Sequence, residues 1–226
     1  FLNCLANHKI LENTPFEEIF IQPASSDAGC ALGAAMYLYN TVLKNKRIYT
    51  METAYLGPYF SDREIEYAIL NSGFNYKKLE DSELYKKTAK LIAEDKIIGW
   101  FQDRMEWGPR ALGNRSILGN PAIPGTADKI NAQIKFREKW RPFCPSILKE
   151  FASEILQSHH PAPFMTIAFK VNSKWRDIIP EVVHVDGTCR PQVVEKEINP
   201  KFYRVIENFY KKSGIPVVIN TCLLYT

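Results

Sequence analysis

Hydrophobic and polar positions change period several times along this chain, and the changes predict helices alternating with strands. After the turn at Asn13-Thr14-Pro15, Glu18-Ile19-Phe20-Ile21 reads as a short strand and Gln22 to Ser26 as a loop of small polar residues. A helix follows from Asp27 to about Leu43, and its face carries Ala28, Gly29, Ala31, Gly33, Ala34 and Ala35. Glycine inside a helix costs stability, so this face is expected to meet another backbone or a ligand closely. Ser61-Asp62-Arg63-Glu64 has the capping-box spacing and predicts a helix that ends near Gly73. A further helix is predicted after Ser82.

Lys96 to Gln102 reads as a strand that empties into a long Gly/Arg-rich loop over 103–116. Thr126 is expected to cap a short helix running to about Ile134. Strands are predicted over Phe143–Leu148, Phe164–Val171, Val182–Val185, Gln192–Val194 and Val217–Asn220, with a helix over Lys201–Lys212 before Gly214. Clean β-α-β repeats are few. The expected fold class is therefore α/β with α+β character, a mixed twisted sheet with helices. Residues 1–50 read as one unit, 51–60 as a linker punctuated by Gly57-Pro58, and 61–226 as a second unit. Phe1 opens directly in an apolar run, and the strand beginning at Val217 meets no polar tail, so both ends read as cut from a longer chain.

Composition adds limits. Hydrophobic residues make up 46% and charged residues 24% of the 226 residues, an ordinary globular balance that can bury a core without staples. A net charge of +4 is too mild to argue for a nucleic-acid partner and suits small anionic ligands equally well. The five cysteines include no C-x-x-C pair and are odd in number, which points to reduced thiols in a cytoplasm. No apolar run reaches the length of a membrane span.

Candidate chemistry lies in four stretches. Gly99 to Ser116 holds Arg104, Arg110 and Arg115 with three glycines; Gly108-Pro109 sets a turn that presents Arg110, Gly113 allows close backbone approach, and Asn114, Arg115 and Ser116 add donors. Arginines and free N–H groups at a strand end suit a phosphate, although a surface loop with salt bridges to Asp103 and Glu106 would look similar. In the second stretch, Lys135, Arg137, Lys139 and Arg141 alternate and would share one side of an extended chain, interleaved with Phe136, Trp140 and Phe143. A solvated basic edge strand is the competing reading, plausible for Lys139 and weaker for Arg141. In the third, Asp186-Gly187 is a hairpin signal that would bring Arg190 back beside the preceding strand. In the fourth, Val217 to Cys222 is a buried strand emptying into Asn220-Thr221, a usual place for ligand contacts.

These stretches resemble NodU/CmcH-type O-carbamoyltransferases. Asp103-Arg-Met-Glu-Trp-Gly-Pro-Arg-Ala-Leu-Gly-Asn-Arg-Ser116 matches the family's G-R-M-E-x-G-P-R-A-L-G-N-R-S pattern in all but its first residue. Lys135 to Phe143 matches K-x-R-E-x-x-R-P-F, and His184 to Arg190 matches H-V-D-G-T-x-R. Asn3 to Asn7 and Gln22 to Gly29 are similar to the end of an actin-like (ASKHA) transferase domain. The resemblance implies a YrdC-like second unit that makes carbamoyl-adenylate from carbamoyl phosphate and ATP, with magnesium. The actin-like domain would then transfer the carbamoyl group to a hydroxyl-bearing small molecule, using a metal ion such as iron. It implies catalytic roles for Arg110, Lys135 and Arg141. Asn114, Arg115, Arg137, Arg190, Asn220, Cys222 and Asn3 would bind substrate or nucleotide, and Asp27 would be one ligand of an otherwise incomplete metal site. A homodimer is a possible assembly.

The chemistry agrees with these residue types. A carbamate oxygen must approach the α-phosphorus of ATP, and fixed cations in a dry cleft offset the repulsion without any nucleophilic Ser or Cys. The sequence departs from the family where Asn220-Thr221-Cys222 stands for an expected N-T-S: a thiol replaces a hydroxyl and bonds hydrogen more weakly. His8, His159, His160 and His184 show no metal-ligand spacing. The competing readings are a YrdC-like module that offers a basic cleft to RNA, which salt would weaken steeply, and an inactive remnant.

Overall fold

Five strands form a mixed sheet in a computed structural model that describes residues 1–224. In chain order they are β1 (Ile98–Phe101), β2 (Arg115–Gly119), β3 (Cys144–Leu148), β6 (Gln192–Val194) and β7 (Val217–Cys222), and their order in the sheet is β1-β2-β7-β3-β6. The β3–β6 pair is parallel, and the other neighbours are antiparallel. A two-stranded piece pairs β4 (Phe169–Lys170) with β5 (Thr188–Cys189). The helices are α1 (Cys4–Asn13), α2 (Asp27–Tyr37), α3 (Asp62–Ser72), α4 (Asp81–Ala93), α5 (Thr126–Ile130), α6 (Ala152–Ile155), α7 (Ser173–Arg176) and α8 (Pro200–Ser213). The class is α/β, as expected.

Alternation along the central strands builds two cores. Ile117, Ile147, Val217 and Ile219 face one side and pack with Ile130, Phe143, Phe169 and Trp175. Leu118, Leu148 and Val218 face the other side, against α4 and α8. Helix α8 buries Phe202, Val205, Ile206 and Phe209, the i, i+3, i+4, i+7 stripe of a one-sided amphipathic helix. Asn199 caps its start by accepting the Phe202 amide at 3.2 Å, and Gly214 closes its end in the left-handed conformation. The capping box at Ser61 is formed in full, with the Glu64 carboxylate accepting from the Ser61 amide at 2.7 Å.

Several local expectations are corrected. Glu18 to Ile21 and Val182 to Val185 form no strand; the latter region is a 3-10 turn (Pro180–Val182) leading into the Asp186-Gly187 turn. Of Phe164–Val171 only Phe169–Lys170 is strand, and it pairs with Thr188–Cys189 just past that turn. The 103–116 loop ends early, because Arg115 and Ser116 already belong to β2. Gly125 rather than Thr126 occupies the cap position of α5, which continues as a π-turn over Asn131–Lys135.

Residues 1–60 are fastened to the sheet-bearing part of the chain. The Asn7 side chain donates to Thr166 O at 2.8 Å, and the Ala168 amide donates to Cys4 O at 3.1 Å. Residues 51–60 carry no helix or strand and run against the Gly/Arg-rich loop: Trp107 N bonds Ala54 O at 2.7 Å, and Met105 N bonds Pro58 O at 2.9 Å. Among the described residues no helix is long and apolar enough to cross a membrane.

Candidate functional site

The 103–116 loop is folded around one carboxylate. Glu106, 6% exposed, accepts the amides of Leu112, Asn114 and Arg115 at 2.7, 2.8 and 3.3 Å. Two glycines make this path sterically possible. Gly113 has φ +106°, and a Cβ there would lie 2.2 Å from the Phe202 ring; Gly108 has φ +118°, with Pro23 O 2.7 Å from its Cβ position. The turn they shape leaves Arg110 projecting from the loop.

Asn114 and Arg115, expected to donate to a ligand, are turned inward instead. The Arg115 guanidinium donates to Asn114 O at 2.8 Å, Asp103 O at 3.0 Å and Gln102 O, and it stacks 3.6 Å above the Phe101 ring. Asn114 donates to Arg104 O at 2.6 Å and accepts from Asn199 at 2.9 Å. Both spend these polar atoms within the protein, on the loop, on Gln102 and on the α8 cap Asn199.

The other basic residues converge. A cleft of about 320 Å³ is lined by Arg110, Lys135, Arg137, Arg141 and Arg190, with Phe143, Cys144, Asn220 and Cys222 among its walls. Among the described residues that line it, none is an Asp or Glu. The cations do not reach it as an alternating strand. Lys135 ends a π-turn, Phe136 adopts a left-handed conformation, and the chain then turns tightly through Glu138 to Arg141. That path leaves Lys139 outside, 3.7 Å from Asp128. Arg137 donates to Asn131 Oδ1 at 2.6 Å and lies 4.7 Å over the Phe143 ring; Arg141 pairs with Glu138 at 3.1 Å; Lys135 donates to the carbonyl of Cys222. Arg190 arrives directly after β5 and holds the Cys144 sulfur through Nε at 3.2 Å and Nη2 at 2.9 Å.

The electrostatics are those of a site short of negative charge. Burial lowers the pKa of Arg110, with Arg190 adding to the effect, and burial likewise lowers Arg137, with Arg141 adding. Lys135 is lowered mainly by burial. Burial also opposes the charge on Arg190, but the sulfurs of Cys144 and Cys4 more than offset it and its pKa is raised. A buried like-charged cluster is costly until an anion enters it.

The remaining expected residues lie elsewhere. Asn3 caps α1 by accepting the Ala6 amide at 3.1 Å, and Asp27 is exposed at the first position of α2. Among the described residues no group of three or more His, Cys, Asp or Glu side chains comes together, so they do not form a seat for a metal ion. His8 pairs with Glu12 at 3.2 Å, and His160 accepts the Ile19 amide at 3.1 Å. A larger cavity of about 730 Å³ is bordered by Ile19, Phe20, Tyr55 and Phe164, but Glu18, Glu52 and Glu195 stand on its rim and would repel a polyanion. Sequence reasoning treated Glu106 only as a salt-bridge partner of the arginines, and it did not single out Gln192, which accepts from the cleft residue Asn220 at 3.3 Å and donates to Leu112 O at 2.7 Å. Glu106 close before a glycine-containing, arginine-bearing turn was the available signal for a carboxylate gathering amides. Gln192 carries no such local sign.

Fold and cleft together define an α/β protein with a strongly cationic pocket. The family model for the carbamoyltransferase C-terminus matches residues 89–225, and that for the carbamoyltransferase N-terminus matches residues 1–36. The chain belongs to the carbamoyltransferase family. It is 41% identical to nodulation protein NolNO of Sinorhizobium fredii over 97% of its own length and 33% of that protein. It is 38% identical to nodulation protein NolO of Bradyrhizobium diazoefficiens, over 97% and 41%, and 32% identical to nodulation protein U of Rhizobium fredii, over 99% and 36%. The chain thus spans about two-fifths or less of these relatives.

Proposed function

We propose that the cationic cleft binds carbamoyl phosphate and ATP and forms carbamoyl-adenylate, and that the whole protein delivers the carbamoyl group to the hydroxyl of a small molecule. The observation that carries this reading is the convergence of Arg110, Lys135, Arg137, Arg141 and Arg190 on one cleft. In this reading residues 61–226 are the YrdC-like unit, residues 1–50 the end of an actin-like domain, and the setting a cytoplasm in which the cysteines stay reduced. The five cysteines are unpaired, with Cys30 exposed.

The cations would act in two ways. Water first takes the phosphoryl group of carbamoyl phosphate, releasing inorganic phosphate and leaving carbamate; the cations then offset the repulsion between that carbamate and the triphosphate, and they hold its oxygen in line with the α-phosphorus as pyrophosphate leaves. Arginine suits bidentate contacts to phosphate oxygens, while Lys135 supplies a compact charge. The Glu106-centred loop keeps Arg110 in place, so the site needs little reorganisation when the anion arrives. Magnesium would ride on the triphosphate, since none of the described residues lining the cleft offers it a carboxylate. Pyrophosphate release requiring both carbamoyl phosphate and ATP is the expected result with this chain. Release that ignores carbamoyl phosphate would overturn the reading.

A further inference from the structure

Residues 54 and 55, in the segment that joins the two units, hold both ends of the turn that carries Arg110. Ala54 O accepts the Trp107 amide at 2.7 Å, just before Gly108, and the Tyr55 hydroxyl donates to Leu112 O at 2.8 Å, just past Ala111. Only 108–111 lie between, and Pro109, Arg110 and Ala111 of that span line the cationic cleft. The direction of the Tyr55 contact is fixed. A carbonyl only accepts, so the phenol proton is committed to Leu112 O, and the phenol oxygen accepts from Asn199 Nδ2 at 2.8 Å. Asn199 cannot flip, because its Oδ1 accepts from Gln102 Nε2 at 2.8 Å and from the Phe202 amide at 3.2 Å. Burial pushes the Tyr55 pKa up, so the donor is retained. Further along the same segment, the Gly57 amide donates to Met105 O at 2.9 Å, and Gly57 O accepts from Arg104 Nη1 at 3.1 Å.

Leu112 is thereby held at both backbone groups, its amide by Glu106 at 2.7 Å and its carbonyl by Tyr55 and by Gln192 Nε2 at 2.7 Å. Of these three side chains only Tyr55 lies outside the sheet-bearing unit. We propose that residues 54–58 form a strap that positions Arg110 for its anion, with the Tyr55 hydroxyl as the positioning group. The hydroxyl acts through the Leu112 backbone on the guanidinium two residues earlier, not on the ligand. By linkage, an anion that holds Arg110 in place tightens the strap in return, by the same factor. The ligand half of this rests on the reading of the cleft as a carbamoyl phosphate site; the hold on the turn does not.

Tyr55→Phe removes the hydroxyl and keeps the ring. It should weaken carbamoyl phosphate binding by roughly three- to tenfold, the worth of one hydrogen bond. In an Arg110→Met background the same change should cost nothing further, because its effect runs through Arg110. A general loosening of the fold would cost the same factor in both backgrounds, and that result, or full affinity in Tyr55→Phe, overturns the assignment. Hydrogen exchange on the unaltered chain decides even where the variant does not fold: saturating carbamoyl phosphate should slow the Gly57 and Trp107 amides by about threefold or more, and unchanged rates reject the coupling. If the unaltered chain binds no carbamoyl phosphate, the reading of the cleft fails instead. The strap is then judged by the Leu112 amide, whose exchange Tyr55→Phe should speed by about threefold or more, and an unchanged rate there rejects it.

Discussion

The Glu106 carboxylate lies 2.8 Å from the amide nitrogen of Asn114, and that contact is the middle of three that bend the Gly/Arg-rich loop into shape. A buried acceptor serving three amides leaves three donors unpaired when removed. Glu106→Ala should lower the unfolding free energy by roughly 3 kcal/mol or more, and Glu106→Gln by about 1 kcal/mol, since one oxygen remains to accept. Urea denaturation measures both. An alanine variant within about 0.5 kcal/mol of the parent, the scatter of an ordinary surface change, would show that the loop is held by something else.

Gly113 and Gly125 both have positive φ, but only Gly113 has a neighbour in the way. A Cβ at Gly113 would meet Phe202 at 2.2 Å, whereas nothing lies within 4 Å of one at Gly125. Gly113→Ala should destabilise by roughly 2–4 kcal/mol through strain and displacement of Phe202, against about 1 kcal/mol for Gly125→Ala. Equal losses in thermal or chemical unfolding would contradict the close packing of loop and α8.

What was legible in the sequence was mostly what is local. The Ser61 capping box, the amphipathic stripe of α8 and the buried β7 strand are set by residues within a few positions of one another. The short apolar run Ile19-Phe20-Ile21 carries the same local signal as a strand, yet no strand pairs with it; Ile19 and Ile21 pack against the core instead. The cleft was legible as a set of residues but not as a geometry. Lys135, Arg137 and Arg141 were grouped by alternation, whereas a π-turn and a left-handed Phe136 bring them together. Arg110 and Arg115 stand in one motif, and nothing nearby separates them. Their fates differ because Arg115 opens β2 and meets the carbonyls of Gln102 and Asp103, a consequence of chain path.

That difference predicts a split. Arg115→Met removes three hydrogen bonds to backbone carbonyls and should cost roughly 2–4 kcal/mol of stability. Arg110→Met removes a half-buried charge that its neighbour Arg190 repels. It should leave stability unchanged or raise it by up to about 1 kcal/mol while weakening phosphate-ligand binding at least tenfold. Parallel unfolding and binding measurements check the pair. Arg115→Met with full stability and lost binding would reverse the two roles.

If the cleft is the phosphate site, Lys135 should set the alkaline side of ligand binding. Burial lowers its pKa from 10.5, so the ammonium is lost at a lower pH than for an ordinary lysine. Affinity for carbamoyl phosphate should therefore begin to fall below pH 10.5, and binding at the alkaline edge should take up protons. The stability of the unliganded chain moves the opposite way. Its folded state binds fewer protons than the unfolded state between the lowered and ordinary values, so stability from this group rises with pH there. Binding that stays flat to pH 10.5, or an alkaline fall that persists unchanged in Lys135→Met, would rule Lys135 out.

The central claim is that the cationic cleft is the site for both anionic substrates, and calorimetry on Lys135→Ala and Arg141→Ala tests it most directly. Each variant loses a charged contact to phosphate worth about 1.5–3 kcal/mol, so affinity for ATP and carbamoyl phosphate should fall roughly tenfold or more in both. Unchanged affinity for both ligands in both variants would place the substrates elsewhere.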